Sequence, residues 1–327
     1  MILIVGGAGY IGSHINKELN KQGYETVIFD NLSSGRKELV KWGTFFKGDL
    51  GNIKNIEDVF KKYQIEAVFH FAAFKVMNES IYDPQKYYKN NVVNTLNLLN
   101  VMRENGVNKF IFSSSAAVFG KPQYLPIDEK HTTKPTSPYG ETKLMVEHIM
   151  RDYDKAYGMK YISLRYFNAC GADLDTEIGE WPVSSTNLIS LVLDTAIGIR
   201  EDIKVFGDDY DTPDGTCIRD YIHVIDLAEA HILALRKLLD EGESDLFNLG
   251  NGDGFSVKEV IAIAKKVTGV DFKVTTVGRR EGDLPVLVAN TKKAKEVLVW
   301  KPKHTNLKTI LKSAWKWHKQ TISSYKI

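Results

Sequence analysis

Short apolar runs rich in β-branched residues alternate with helical stretches in the first half of the chain. The six runs lie at Ile2 to Val5, Thr26 to Phe29, Phe45 to Phe46, Ala67 to Phe71, Lys109 to Phe112 and Tyr161 to Leu164. Apolar residues between them recur at helical spacing, as at Val92, Leu96 and Leu99. Ser137-Pro138 is a typical helix start. Strands that alternate with helices predict an α/β, doubly wound fold with a parallel sheet covered on both faces.

The pattern changes after about residue 167. Strand-like runs become fewer, and Gly, Asp and Pro are dense around residues 207–215, 250–254 and 278–285. We therefore expect a Rossmann-type domain over residues 1–167, which part of 218–249 could join, and a smaller α/β lobe over 168–327. No flexible linker separates the two parts, so a ligand cleft between them is expected.

Charge and cysteine content narrow the class of protein. The 327 residues include 43 basic and 41 acidic side chains, a net charge of +2, so nucleic acid is not expected as a partner. No apolar run approaches the roughly 20 residues of a membrane span. The cysteines, Cys170 and Cys217, lie far apart, and no charged and apolar leader precedes the first strand. These features favour a cytoplasmic location for the protein.

A glycine-rich turn, GGAGYIG at residues 6–12, follows the first strand and leads into an amphipathic helix. Glycines at 6, 9 and 12 permit close approach of a phosphate to a helix N-terminus, although such strings also occur in ordinary turns. The next strand ends at Asp30, whose carboxylate can accept from both ribose hydroxyls and repel a 2′-phosphate. This combination predicts NAD rather than NADP, with a plain turn role for Asp30 as the alternative. Arg36 lies too far along the chain for a phosphate clamp, and Asp49 could contact adenine or cap a helix.

Candidate chemistry lies in Tyr139-Gly140-Glu141-Thr142-Lys143, which places a phenol and an ammonium on one helix face. A free tyrosine has a pKa of about 10, and both Lys143 and a positive nicotinamide favour its phenolate. Tyr139 could then act as a general base. The spacing alone occurs by chance on helices, but Ser113-Ser114-Ser115 ends an earlier strand at the sheet edge where doubly wound folds place their sites. A hydroxyl there can bond a substrate oxygen.

Motifs along nearly the whole chain resemble the extended short-chain dehydrogenase/reductases, and within them the nucleotide-sugar 4-epimerases. They are GGAGYIGSH, DNLSSG, GDL, HFAAFK, YYKNNVVNTLNLL, FSSSAAVFG, SPYGETKLMVE, LRYFNACGA, RDYIHVIDLA, FNLGNG and RREGDLP. The resemblance implies reversible inversion at C4 of UDP-galactose and UDP-glucose through a 4-keto sugar, with transient reduction of tightly bound NAD. It also implies a homodimer formed through helices around residues 84–104 and 138–157.

The resemblance assigns site residues by position. It implies that Tyr139, Lys143 and Ser115 are catalytic. The implied cofactor residues are Gly6, Gly9, Tyr10, Ile11, Gly12, Asp30, Asn31, Leu32, Ser33, Ser34, Gly35, Asp49, Leu50, Phe71, Ala72, Ala73, Phe74, Lys75, Asn91, Ser113, Tyr139, Lys143 and Phe167. The implied substrate residues are Lys75, Ser115, Tyr139, Asn168, Asn187, Leu188, Val205, Phe206, Arg219, Tyr221, Arg280, Asp283 and Leu287. Arginines provide bidentate donors for a diphosphate, although Arg219 and Arg280 could instead form salt bridges between the lobes.

Several departures leave the substrate open. The loop from Ile178 to Ser185 differs from the usual family pattern, and Leu287 is intermediate between the tyrosine that crowds the sugar and the small residues that admit an N-acetyl group. Ser115-Ala116-Ala117 replaces the Asp-Glu pair of the 4,6-dehydratases, which disfavours elimination. Epimerases of N-acetylhexosamine or uronic acid sugars are the alternative enzymes. A net oxidoreductase and a non-catalytic NAD sensor are the other hypotheses.

The remaining polar residues of the apolar segments are expected to be structural. His70 and His223 lack ligand spacing and are interpreted as hydrogen-bonded core residues, so no metal site is predicted. Cys170 is expected to be a packing residue. The segment Leu307 to Lys319 is amphipathic and basic, and docking of its apolar face on the second lobe is favoured over membrane contact.

Overall fold

The computed structural model describes residues 1–182, 185–280 and 282–325. Its strands are β1 Ile2–Val5, β2 Thr26–Asp30, β3 Thr44–Lys47, β4 Ala67–His70, β5 Lys109–Ser115, β6 Lys160–Tyr166, β7 Asn168–Cys170, β8 Ile203–Phe206, β9 Ile218–His223, β10 Asp245–Leu249, β11 Gly254–Ser256, β12 Val274–Val277 and β13 Val286–Leu287. Its α-helices are α1 Tyr10–Lys21, α2 Ile53–Lys62, α3 Met77–Tyr82, α4 Pro84–Tyr88, α5 Asn94–Glu104, α6 Pro138–Tyr157, α7 Leu188–Ala196, α8 Val224–Asp240, α9 Val257–Thr268, α10 Lys292–Val297 and α11 Leu307–Tyr325. A π-helical turn, Lys89–Val93, leads directly into α5.

The main sheet has seven parallel strands in the order β10-β6-β5-β4-β1-β2-β3. The central strands β1 and β4 are buried along their whole length, as expected for parallel strands covered on both faces. One apolar cluster packs α1 and α8 on one face, and a second packs α2, α5 and α6 on the other. The predicted α/β doubly wound fold is confirmed.

The sheet is not built from consecutive sequence. Six strands come from residues before 167, whereas β10 returns from beyond residue 244 and pairs with β6 over Asp245 to Leu249. Helix α8 accompanies it and packs against α1. The chain therefore leaves the main sheet after β6, builds the first part of the second lobe, and comes back.

The second lobe contains a small sheet in which β9 is central. Strands β7 and β13 pair with it in parallel and β11 pairs antiparallel, while β8 and β12 form a separate parallel pair. Helices α7, α9 and α11 bury one apolar cluster against these strands. Helix α11 buries Leu307, Ile310 and Leu311 there, so the prediction that this helix docks on the second lobe is confirmed.

Polar contacts join α1 to the loop that follows β7. The Tyr10 hydroxyl donates to the Gly171 carbonyl at 2.7 Å. The buried Lys17 ammonium lies 2.7 Å from Asp173, 3.3 Å from Asp175 and 2.6 Å from Glu177. These carboxylates raise the pKa of Lys17 to about 12 against the opposing effect of burial. The two lobes are thus tied at the point where the glycine-rich turn begins its helix.

The buried histidines are structural, as predicted. His70 bonds Thr95 Oγ1 at 2.8 Å, and burial lowers its pKa to about 3. His223 accepts from the backbone N–H of Ile225 at the start of α8. Cys170 is buried and donates to the Ile222 carbonyl. Among the helices of the described ranges, none combines the length and apolarity needed to cross a bilayer.

Candidate functional site

A cleft of about 520 Å³ opens at the carboxyl ends of β1, β2, β4 and β5. This is the edge of a doubly wound sheet at which ligands bind, and its size suits a nucleotide cofactor. Every cofactor residue expected from the sequence lines the cleft except Asn91 and Phe167. Most of the cofactor residues that the sequence predicts therefore line this cleft.

The glycine-rich turn forms the floor of this cleft. Gly6 has φ +79°, and a Cβ at this position would lie 2.5 Å from the backbone N of Ala72. A Cβ on Gly12 would lie 2.6 Å from the Gly6 carbonyl oxygen, so neither position accommodates a side chain without moving backbone. Gly9 begins α1, and no side chain caps this helix. Gly9, Tyr10, Ile11 and Gly12 line the cleft, so the uncapped start of α1 favours a phosphate there.

Asp30 ends β2 at the rim of the glycine turn. Its carboxylate accepts from the backbone N–H of Ala8 at 3.0 Å and of Leu32 at 2.8 Å. Burial raises its pKa, while these two hydrogen bonds oppose that effect. A carboxylate has about four lone-pair sites, so two remain for ribose hydroxyls. The next residue, Asn31, donates through Nδ2 to the Asp49 carboxylate at 2.8 Å, and this bond joins two residues of the cleft wall.

Tyr139, Ser115 and Lys143 come together where β5 meets the first turns of α6. Ser137 caps this helix through its hydroxyl, which accepts from Gly140 N–H at 3.2 Å and sets the orientation of the first turn. The Ser115 hydroxyl donates to the Tyr139 oxygen and lowers the pKa of that phenol. Lys143 donates to the Ser113 carbonyl at 2.7 Å. The three groups expected to be catalytic are therefore neighbours.

One electrostatic expectation is corrected by the structure. Lys143 does not lower the pKa of Tyr139 in the protein alone; burial raises it, and the Ser115 bond offsets this only in part. The Lys143 ammonium lies 6.0 Å from the Tyr139 ring centroid and is directed to the Ser113 carbonyl. Burial also lowers the pKa of Lys143 to about 7, so part of its charge is lost at neutral pH.

A buried hydrogen-bond network packs behind Tyr139, Ser115 and Lys143 and holds them in position. Glu147, one turn after Lys143 on α6, accepts from Ser114 Oγ at 2.6 Å and from Arg165 Nε at 2.9 Å. Its charge opposes the fall in the pKa of Lys143. Tyr166 bonds the Ser113 hydroxyl and lines the cleft. Both strands that flank the catalytic group are thus fixed to α6.

Two expected cofactor residues lie behind the cleft wall. The Asn91 amide accepts from Phe74 N–H at 2.9 Å and donates to the Phe74 carbonyl at 3.0 Å. Asn91 therefore shapes the segment after β4 rather than lining the cavity. Phe167 is buried in a small apolar cluster with Phe119 and Leu144.

In the second lobe, Asp283 binds both arginines that were expected to hold a diphosphate. Arg280 donates to it through Nε at 3.1 Å and Nη2 at 2.8 Å, and Arg219 Nη2 lies 3.6 Å away. Arg219 also donates to the Leu284 carbonyl at 2.7 Å. All three residues belong to the second lobe, so the alternative of salt bridges between the lobes is wrong.

The other expected substrate residues divide into exposed and buried positions. Phe206 is 39% exposed, whereas Val205 and Tyr221 lie in the apolar core of the second lobe. Their position makes them supports for β8 and β9. Asn168 donates to the Asp220 carbonyl at 2.9 Å, and Asn187 precedes Leu188 at the start of α7. Leu287 is half-buried beside the cluster that contains Phe167.

The cleft also contains residues that the sequence did not indicate. Arg36, Glu79, Tyr166, Glu180 and Trp181 line it. Glu180 and Trp181 fall in the loop flagged as unusual, of which residues 183 and 184 lie outside the described residues. That departure from the family pattern was the only available signal for them. Arg36, dismissed as too distant for a phosphate clamp, reaches the wall because residues 31–36 fold back along the glycine turn, where Arg36 N–H bonds the Ala8 carbonyl.

Comparison with known proteins places this site in a family. The sequence matches the NAD dependent epimerase/dehydratase family over residues 2–250. The chain belongs to that family. It is 48% identical over 317 residues to a UDP-glucose 4-epimerase of Rhizobium leguminosarum bv. trifolii, covering 97% of each chain. It is 47% identical over 324 residues to that of Halalkalibacterium halodurans, covering 99% of this chain and 97% of the other.

Solved structures are also similar to this chain over nearly its whole length. The UDP-glucose 4-epimerase of Brucella ovis in complex with NAD has a TM-score of 0.94 and 46% identity, covering 96% of this chain and 97% of that one. The UDP-Glc/GlcNAc 4-epimerase of Campylobacter jejuni has a TM-score of 0.86 and 46% identity, covering 98% and 99%. The expected family, the fold class and NAD as the cofactor are confirmed. The residues present fit NAD, since the turn excludes side chains where a phosphate approaches and Asp30 retains free acceptor sites.

Proposed function

We propose that the chain catalyses reversible inversion at C4 of the hexose in UDP-galactose and UDP-glucose, using tightly bound NAD. The single observation that carries the proposal is that Tyr139 and Lys143 line the NAD cleft while the Ser115 hydroxyl bonds Tyr139 there. A binding protein has no need of a phenol, a hydroxyl and an ammonium held together at that place. The relatives that align with nearly the whole chain are UDP-glucose 4-epimerases, which supports the choice of substrate.

The chain's own residues supply the proton chemistry. Ser115 and Tyr139 bond the 4-hydroxyl, and Tyr139 removes its proton as C4 loses hydride. NAD, when bound, takes that hydride and returns it. The resulting 4-keto sugar turns in the site while its nucleotide stays anchored on the second lobe, so that hydride would return to the opposite face of C4. Tyr139 then returns the proton to the C4 oxygen.

Tyr139 must become a phenolate for this step, although burial raises its pKa. Both the Ser115 hydroxyl and any positive charge close to the ring favour the ionised form. A positive nicotinamide is such a charge, whereas the Lys143 ammonium is directed to the Ser113 carbonyl and does not lower the pKa of Tyr139 in the protein alone. We therefore expect turnover to rise with pH as the phenolate forms.

Tyr139→Phe tests the proposal directly. Removing the hydroxyl should lower kcat with UDP-galactose by a factor of about 10² to 10⁴, the usual contribution of a general base. Bound NAD, measured by absorbance after denaturation, should stay at the wild-type level. Phe119→Tyr, a matched aromatic exchange in the buried cluster behind the site, serves as a control. Turnover by Tyr139→Phe close to that of the wild type would refute the role of Tyr139.

The same protein separates the competing classes of function. An epimerase converts UDP-galactose to UDP-glucose without added coenzyme and consumes none. A net oxidoreductase would reduce NAD in proportion to the sugar, and a sensor would bind NAD without converting either sugar. Product analysis by anion-exchange chromatography together with absorbance at 340 nm distinguishes these outcomes.

Activity on N-acetylated UDP-sugars is a second candidate, favoured by Leu287. This side chain is half-buried beside the apolar cluster that contains Phe167, and leucine takes less space there than tyrosine would. A similar solved structure is named a UDP-Glc/GlcNAc 4-epimerase. Leu287→Tyr should then lower kcat/KM for UDP-N-acetylgalactosamine more than for UDP-galactose. Equal effects on the two substrates would contradict this selectivity.

We further infer a cytoplasmic homodimer with the NAD-binding domain formed by residues 1–167 and 224–249. The free thiols of Cys170 and Cys217 are consistent with a reducing compartment. Apolar Val93 and Met145 are 40% and 36% exposed on adjacent helices, which suits a contact between two copies. Light scattering should give twice the mass of one chain, and Met145→Glu should lower it.

A further inference from the structure

The wall of the NAD cleft includes two residues from the second lobe. Among the described lining residues, all others lie at or before residue 166, whereas Glu180 and Trp181 come from the loop after β7. The cleft is therefore closed on one side by a short piece of the other lobe. We call Glu180 and Trp181 together the interlobe bridge.

Glu180 connects the bridge to one edge of the cleft. Its side chain is 13% exposed, and its carboxylate lies 3.6 Å from the ammonium of Lys75, which follows β4 in the first lobe. On the other side it accepts from Asn187 Nδ2 at 2.9 Å and from the Ser190 hydroxyl. One carboxylate thus lies between a first-lobe cation and the start of α7. Its hydrogen bonds from Asn187 and Ser190 are charge-assisted and therefore stronger than bonds between neutral groups.

Trp181 connects the bridge to the opposite edge. The Arg36 guanidinium lies 5.5 Å from its ring centroid, within the range of a cation–π contact. Behind Trp181, the rings of Tyr325 and Trp317 lie at 4.8 Å and 6.4 Å. Trp317 also donates its indole N–H to the Glu180 carbonyl at 2.8 Å. The end of α11 therefore backs the bridge and holds it against the cleft.

We propose that Glu180 and Trp181 are cofactor-retaining residues, which close the NAD cleft from the second lobe and set the rate at which NAD leaves. The inference deepens the proposed function, because an enzyme that recovers its hydride in each turnover benefits from a cofactor that stays. NAD can leave across this side only after the contacts with Lys75 and Arg36 break. Both contacts are noncovalent and reversible, so the bridge slows exchange without preventing it.

The test measures loss of NAD rather than turnover. Wild-type protein and the variants Trp181→Ala, Glu180→Gln and Arg36→Met are loaded with radiolabelled NAD and diluted into excess unlabelled NAD. Retained label is followed with time after rapid gel filtration. Each variant should lose NAD at least tenfold faster than the wild type. Trp181→Phe should stay within about threefold of the wild type, because the phenyl ring still makes a cation–π contact with Arg36.

Matched variants control for general destabilisation. Glu201→Gln removes an exposed ion pair with Lys273 in the second lobe, and Tyr124→Ala removes an aromatic ring that is 46% exposed. Both should lose NAD at the wild-type rate. Arg36→Met removes the same contact by changing its first-lobe partner, so this variant remains informative if Trp181→Ala fails to fold.

The two proposals fail in different ways. NAD loss within twofold of the wild type in folded Glu180→Gln and Arg36→Met would overturn the inference, even in variants that still epimerise UDP-galactose. A wild-type protein that retains NAD but converts neither UDP-hexose would overturn the proposed function alone. Faster NAD loss in the variants, with recovery in Trp181→Phe, is the result expected from the bridge and is not expected from a general loss of stability.

Discussion

Lys143→Met should stabilise the NAD-free protein at neutral pH while abolishing turnover. Lys143 is 4% exposed, and burial lowers its pKa from 10.5 to about 7. Between these two values the unfolded chain carries the proton and the folded one does not. Protonation therefore favours the unfolded state, and its effect weakens as pH rises towards 10.5.

The magnitude follows from the two pKa values. A shift of this size costs the fold about 4 kcal/mol at pH 7 and about 1 kcal/mol at pH 9.5. Methionine removes this cost, but it also removes the hydrogen bond to the Ser113 carbonyl, which is worth about 1 kcal/mol. The expected net gain is about 3 kcal/mol at pH 7, falling to near zero at pH 9.5. Burial lowers the pKa of His70 to about 3, so His70 is neutral throughout this range and does not reverse the sign.

Urea unfolding of NAD-free protein, followed by tryptophan fluorescence at several pH values, measures the difference. Lys292→Met, which removes an ammonium that is 75% exposed, should change stability by less than about 0.5 kcal/mol and show no such pH dependence. A Lys143→Met protein that is less stable than the wild type at pH 7, or a difference that does not change between pH 7 and 9.5, would refute the reasoning.

Three further changes test other parts of the structure. Gly12→Ala should remove most of the NAD that copurifies with the protein, because its Cβ would lie 2.6 Å from the Gly6 carbonyl oxygen; normal NAD content in absorbance spectra would contradict this. Glu147→Gln should lower the free energy of unfolding by about 3 to 5 kcal/mol, because it leaves the buried Arg165 charge without its partner. Asp283→Asn should raise KM for UDP-galactose about tenfold with little change in kcat, because Asp283 orders both arginines and makes no contact with the group of Tyr139, Ser115 and Lys143 among the described residues. A change confined to kcat in steady-state assays would argue against that role.

The first half of the fold could be predicted because its strands are buried on both faces. The strand Ile2–Val5 has the predicted bounds, and the helix that Ser137-Pro138 predicts begins at Pro138. Strand β5 extends three residues further than its apolar run, since the polar Ser113 to Ser115 still pair with β6. In the second lobe, β7, β11 and β13 have only two or three residues each, too few for a periodic signal.

The site could be predicted only where a residue type is tied to a backbone requirement or a helical spacing. The glycines and the pair Tyr139 and Lys143 satisfy that condition. Glu180 and Trp181 do not, because their place in the cleft depends on how the second lobe docks, which no local pattern encodes. The low pKa of Lys143 likewise results from burial that only the folded chain shows.

The return of the chain to the main sheet has a consequence for synthesis on the ribosome. Six parallel strands emerge in order, but the edge of β6 stays unpaired, and α1 lacks its partner α8, until residues up to 249 have been made. An unpaired strand edge invites association with other chains. The nascent NAD-binding half is therefore incomplete for much of translation, and a gene fragment ending at residue 167 should yield an aggregating polypeptide rather than a separable dinucleotide-binding module.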